Sequence, residues 1–172
     1  TAMGYDTTAS GEASTAMGLS TTASGGYSTA MGKSTIASGN TSTAMGRNTT
    51  ASELYSTAMG YDTTASGEAS TAMGLSTTAS GGYSTAMGSS TTASGYYSTA
   101  MGAGTIASDY GSTVIGQYNS SGSSVTNSAW LFNTANTAFV IGNGTASNAK
   151  SDAFKVMFNG DATVSNDLTV SG

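Results

Sequence analysis

A hydroxyl and an amine three residues apart, Ser147 and Lys150 in "SNAK", come closest in this chain to a catalytic pair. In β-lactam-recognising enzymes an S-x-x-K step activates the serine, but those sites also carry S-D-N and K-T-G segments. Neither segment is present, and a Ser-rich chain produces the spacing by coincidence. Asn159, Asp161 and Asp167 offer oxygen ligands of the kind Ca²⁺ takes, yet their spacing fits no EF-hand loop and they read as solvated turn residues. "GNGT" at Gly142 to Thr145 lacks the lysine of a phosphate-binding loop. The chain contains no His and no Cys. That removes the Ser-His-Asp triad, the thiol nucleophile, the disulfide and the thiolate metal site together. The sequence therefore predicts no catalytic residue, no metal site and no cofactor.

Composition bounds the rest. Of 172 residues, 24 are Gly, none is Pro, and only 8% are charged. Leu, Ile, Val and Phe together number 19, too few to fill an ordinary globular core. Disordered chains are usually highly charged and Pro-rich, and this one is neither. The net charge of −5, with only Lys33, Arg47, Lys150 and Lys155 as cations, argues against nucleic acid, which needs basic residues to neutralise phosphates. No apolar run approaches membrane-spanning length. Because the chain opens at "TAMG", in mid-repeat, it reads as a fragment, with any signal peptide or membrane anchor outside it.

What must position any functional residue is a repeat. "STAMGLSTTASGGY" occupies residues 14 to 27 and returns unchanged at 70 to 83, within a strict 14-residue period from Thr1 to Ser112. Residues 1 to 32 also recur whole at 57 to 88. Fixed-period self-similarity outranks local propensity as evidence. Each turn has two related halves, "STAMG" and "TTASG", each followed by two variable residues. Thr favours extended backbone, and glycines such as Gly4, Gly11, Gly18 and Gly25 are expected to supply positive φ at corners. One turn is thus read as two five-residue strands and two tight corners, and a helix is excluded by a Gly about every seven residues. The fold class is all-β, a parallel β-roll (solenoid) with 14-residue rungs. Equivalent residues such as Ala16 and Ala30 should pair at about 4.8 Å.

Strand alternation leaves two phases. A 14-residue coil is thin, so the phase that puts Ser14, Ala16, Thr21 and Ala23 inside is preferred over the one that buries Met. Met3, Met17, Met31, Met45, Met59, Met73, Met87 and Met101 then form an outer ladder. Soluble monomers rarely expose so continuous an apolar stripe, so another chain should cover it.

"S-T-A-M-G" followed by "T-T-A-S-G" at seven-residue spacing resembles the repeats in the head domain of YadA-like trimeric autotransporter adhesins. The resemblance covers residues 1 to about 116. It implies a left-handed roll, a homotrimer packed about a threefold axis with the Met positions at the trimer interface, and display on a bacterial surface, outer-membrane anchored through parts outside this fragment. Met stands where those repeats usually carry Ile or Leu, and no neck or coiled-coil stalk is evident. After a drifted ninth turn, "STVIGQYNSSG", the period is lost. Residues 117 to 128 read as a Ser/Asn/Gly linker. Residues 129 to 172 form a small β-rich C-terminal segment, in which "AFKVMF" and "ATVS" flank a hairpin turn at Asn159-Gly160-Asp161. That segment resembles β-rich parts of phage tail fibres and large secreted surface proteins, which makes a virion attachment fibre the alternative.

The variable residues carry the functional expectation. In the eight regular turns every Tyr and Leu falls in a corner pair, as do the charges except Glu53 and Asp109, which replace a corner Gly. Tyr recurs at one corner position, at Tyr27, Tyr55, Tyr83 and Tyr97, and Tyr suits binding surfaces because its ring is rigid and amphipathic. These four are the candidate ligand contacts. The expected partner is an extended extracellular matrix protein or surface glycan, bound by many weak contacts. A minor reading takes the outward row Thr8, Thr22, Thr50, Thr64, Thr78 and Thr92, beside Ser10 and Ser24, as an ice-binding array, interrupted by Ile36 and Ile106.

Overall fold

The computed structural model describes residues 1–166, and over these the chain is all strand and turn, with no helix. Nine long strands follow one another at 14-residue steps, from Ala2–Tyr5 and Thr15–Leu19 to Thr113–Gln117. Between them lie eight short strands, from Thr8–Ala9 to Ile106–Ala107. Long strands pair in parallel with long strands and short with short, one rung to the next. Ala16 pairs with Ala30 and Met17 with Met31, so the 14-residue rung is the structural repeat. The halves of a turn are nevertheless unequal. "STAMG" gives a five-residue strand, whereas "TTASG" gives only two residues of strand before the chain turns.

The glycines work differently from the sequence expectation. Left-handed backbone at the corners is held by fourteen non-glycine residues with φ between 50° and 60°, among them Ser20, Tyr27, Tyr55 and Asp62. An isolated L-residue there costs roughly 1–2 kcal/mol. The ladder offsets this cost, because the corner amides also bond rung to rung. Tyr27 N–H donates to the Glu12 carbonyl at 2.6 Å and Ser20 N–H to the Tyr5 carbonyl at 2.9 Å. Gly18 does carry φ +128°, but within its long strand, and a Cβ on it would meet the Gly32 carbonyl oxygen at 1.9 Å. Gly25 has no positive φ; it is required by space, since its Cβ would lie 1.9 Å from the Gly39 oxygen.

The interior follows the small-side-chain phase. Ala16, Ala23 and their copies to Ala107 are fully buried, as are Thr21 and its copies to Thr105. Seven of those threonine hydroxyls, from Thr21 to Thr105, have no hydrogen-bond partner among the described residues. An unsatisfied buried hydroxyl costs about 1–3 kcal/mol, so the core opposes folding in part and the backbone ladder must outweigh it.

The sheet does not stop where the 14-residue period does. Thr137–Asn143 pairs in parallel with Thr113–Gln117, matching Val114 to Val140, Ile115 to Ile141 and Gly116 to Gly142. "VIG" at 114 to 116 recurs at 140 to 142, and Gly142, read as part of a loop motif, is the rung glycine of that strand. Asp152–Met157 and Ala162–Val164 then add antiparallel, as the predicted hairpin, making a twelve-stranded sheet.

Candidate functional site

Three surfaces of the roll could act on a partner: the corners, the outer face of the long strands, and the cap over the last rung. At the corners, Tyr27 and Tyr55 are each 57% exposed and stand alone, with Thr41 between them in the stack. Tyr83 and Tyr97 are different. Their rings stack at 5.1 Å, and Tyr96 meets both edge-on. The contacts continue from Tyr96 to Trp130 and from Tyr97 to Tyr110 and on to Phe132 and Phe158. The structure thus splits the four candidate tyrosines into two isolated rings and a pair inside an aromatic strip. Sequence reasoning missed Tyr96, Tyr110, Trp130 and Phe132, because Trp130 and Phe132 come from outside the repeat. The signal was present in "YY" at 96–97 followed by Tyr110 one rung on.

Trp130, Leu131 and Phe132 are exposed by 66%, 72% and 58%, three consecutive large apolar side chains at one tip. The nearby Glu68 charge, with Tyr96 second, raises the Tyr83 phenol above its ordinary pKa. Burial, followed by Tyr97, raises Tyr96 likewise.

The outer face of the long strands carries the methionines. Met17 to Met101 are half-buried by their own neighbours in the stack, and Met3 at the first rung is 59% exposed. On the short-strand face Thr22, Thr50, Thr64, Thr78 and Thr92 point outward, with Ile36 and Ile106 in the same row.

The cap is built from three buried polar residues. In a regular rung, Thr22 N–H donates to the Thr35 carbonyl of the next rung. Among the described residues no further short strand lies above Ile106, and the side-chain amide of Asn119 takes its place. Its Oδ1 accepts from Ile106 N–H and its Nδ2 donates to the Ile106 carbonyl, both at 2.8 Å. Asp109 occupies the glycine position of its rung. With no further rung of that corner above it, its carboxylate accepts from Thr126 N–H at 2.6 Å and Thr137 N–H at 2.8 Å. Asn136 pairs both ways with the Ser128 backbone. Asp109, Asn119 and Asn136 are fully buried. On the surface nearby, burial pushes the Asp152 carboxyl up, but hydrogen bonds from Ser121 and Ser120 outweigh it and hold the pKa below the ordinary carboxylate value.

Among the described residues, none of those weighed for chemistry forms a site. Ser147 and Lys150 are both exposed, and Lys150 lines an open polar groove with Asp152 and Lys155. Asn159 and Asp161 bond to each other across their turn. Asp167 lies outside the described residues. Among those residues no group of three or more His, Cys, Asp or Glu side chains is placed to hold a metal ion.

Comparison with known families decides what the roll is. The family model "YadA head domain repeat" matches at residues 1–21, 9–35, 23–49, 37–63, 65–91 and 93–119, together well over half of the chain. The chain belongs to the YadA head family. That is an adhesin family of the trimeric autotransporter type. The matches end at residue 119, so the resemblance of the C-terminal segment to tail fibres rests on no family match. A comparison with curated proteins finds no match.

Proposed function

We propose that this YadA-type head acts as a homotrimer on a bacterial surface and adheres to an extended matrix protein or surface glycan through weak contacts repeated at its corners. The observation that carries the reading is the division of labour within each rung. The Ala, Met and Gly rows are constant from rung to rung and locked in register, while the corners that project from them vary and carry the exposed tyrosines. A fixed frame with variable projections is how a scaffold presents a surface. In the trimer the Met ladder of each chain is covered by the others, which removes an apolar stripe that solvent would otherwise meet. Each corner then appears three times around the axis. Such repetition raises effective concentration, so avidity can exceed single-site affinity by about 10²–10⁴. With a net charge of −5 and few cations, salt should weaken the interaction little.

The test measures binding of the trimer to matrix proteins and glycans, with Tyr27, Tyr55, Tyr83 and Tyr97 changed to Ser singly and together. Each single change should weaken binding a few-fold and the quadruple change should abolish it. Unchanged binding by the quadruple variant, or complete loss from one substitution, overturns the distributed mechanism. A native mass of one chain, 16.8 kDa, overturns the trimer.

A further inference from the structure

The outer row of the long-strand sheet does not end with the last methionine. Met101 pairs with Ile115, Ile115 with Ile141, Ile141 with Phe154, and Phe154 with Val164. Directly paired residues of adjacent strands lie on the same face of a sheet. Val114 and Val140, one residue away, are fully buried inside the roll, so this row faces outward throughout. Beside it Phe139 continues the Thr row, pairing with Thr113, and its ring meets that of Phe154 at 6.2 Å. One apolar stripe therefore runs over all twelve strands, uniform methionine for eight rungs and then Ile, Ile, Phe and Val.

Uniformity creates a problem of register. If copies of the chain pack Met row against Met row, sliding one copy by a rung still places seven of the eight Met against another Met. The duplication of residues 1–32 at 57–88 makes a four-rung shift indistinguishable over that stretch even at the corners. Coiled coils with uniform seams face the same degeneracy, and one unlike position is enough to fix their alignment. Here the unlike positions are Ile115, Ile141, Phe154 and Val164, flanked by Phe139.

We infer that this C-terminal apolar face docks on the same face of the other two copies and sets the rung register of the trimer. The inference rests on the trimeric reading above, and the occupant follows from continuity with the Met row that the reading already places against a second copy. The roll supplies contact area that is indifferent to alignment; the last strands supply alignment.

The chain has no cysteine, so crosslinks can be placed at will. Full-length chains carrying Met45→Cys and Met73→Cys are co-expressed and oxidised, and disulfide-linked peptides are identified by mass spectrometry. Positions 45 and 73 lie two rungs apart, about 9.6 Å along the roll by strand spacing. That is beyond the roughly 7 Å Cα limit of a disulfide. In register, only 45–45 and 73–73 crosslinks between chains should form. With Ile115→Met, Ile141→Met, Phe154→Met and Val164→Met added, which extend the methionine row and keep it apolar, and Phe139→Thr, which continues the threonine row, the trimer mass should persist and the 45–73 crosslink should rise at least tenfold. A 45–73 crosslink already abundant in the parent, or like-pair crosslinks only in the Met-extended variant, would show that register is set elsewhere. A native mass of one chain with no interchain crosslink removes the trimer itself, and the inference with it.

Discussion

The eight-rung roll and the cap above it solve the same problem in opposite ways. In the roll, the strand amides donate to carbonyls of the neighbouring rung and the same bonds recur at every step, so the solution is written once and repeated. At the cap the copies run out, and several amides are met by side chains used only once, Asn119 for Ile106, Asp109 for Thr126 and Thr137 and Asn136 for Ser128, beside single backbone bonds such as Ser108 N–H to the Gly122 carbonyl. Repetition spreads stability over many equivalent contacts, as expected for quasi-one-dimensional folds that need special terminal units. The cap concentrates it in three residues. The surfaces differ in the same sense. Isolated tyrosines decorate the roll, while the aromatic strip and the Trp130–Phe132 tip belong to the cap end.

The comparison breaks hardest at a rung glycine. In Gly60→Val the new Cβ would sit 2.1 Å from the Gly74 carbonyl oxygen, at a φ of +123° that Val does not adopt. The expected loss exceeds about 4 kcal/mol. Thermal unfolding should lose its single cooperative transition as the rungs on either side uncouple.

Next in size is Asp109→Ala. It strands two backbone amides that now donate to a carboxylate, and hydrogen bonds to charged groups contribute about 1.5–3 kcal/mol each. A cost of about 3 kcal/mol or more should appear mostly in the cap. Hydrogen exchange at Thr126 and Thr137 should accelerate, while amides near Ala44 and Ala58 keep their protection. Equal acceleration in both regions would mean that the cap and roll are one unit.

A smaller effect, of opposite sign, is expected at Thr63→Val. Its buried hydroxyl has no partner among the described residues, and a methyl of similar size removes the desolvation cost. Stability should rise by about 1 kcal/mol, read as an increase of about 2–4 °C in Tm. No side chain of the cap should respond in this way, since Asp109, Asn119 and Asn136 are all hydrogen-bonded.

The smallest effect concerns acid. The folded-state pKa of Asp152 is depressed, so its contribution is present above its unfolded value and fades as pH falls through the folded one. Below about pH 4, the ordinary carboxylate range, contacts of Ser120 and Ser121 with Asp152 should loosen first. NMR titration should show those two amides shifting while roll amides remote from any carboxylate, such as that of Ala86, stay fixed.

Much of the fold was legible because a repeat states its own period. Fourteen residues between identical letters fixed the rung. The scarcity of large apolar side chains fixed an interior of Ala, Ser and Thr, and that phase placed Met outside. The unequal strands were not legible. Thr-Thr-Ala-Ser has the same propensity as Ser-Thr-Ala-Met, and only the path of the chain into the next corner shortens it. Nor was the identity of the left-handed residues, since Gly is the usual choice. Tyr27 and Tyr55 occupy such positions because the ladder hydrogen bonds hold them there.

Beyond residue 116 the balance shifts. The echo of "VIG" at 140–142 was readable, but nothing local says that a strand 26 residues after Ile115 returns to the same sheet. That depends on Asn119 and Asp109 standing in for the missing rung, a role set by the absence of a neighbour, not by their own letters. The sequence alone determined the rung, the inward row and the family of this protein. The tertiary structure alone decided how the stack is closed, which tyrosines touch, and that the methionine stripe runs on into Ile141, Phe154 and Val164. Periodicity is a local property that a chain can spell out, whereas an end is defined only by what packs against it.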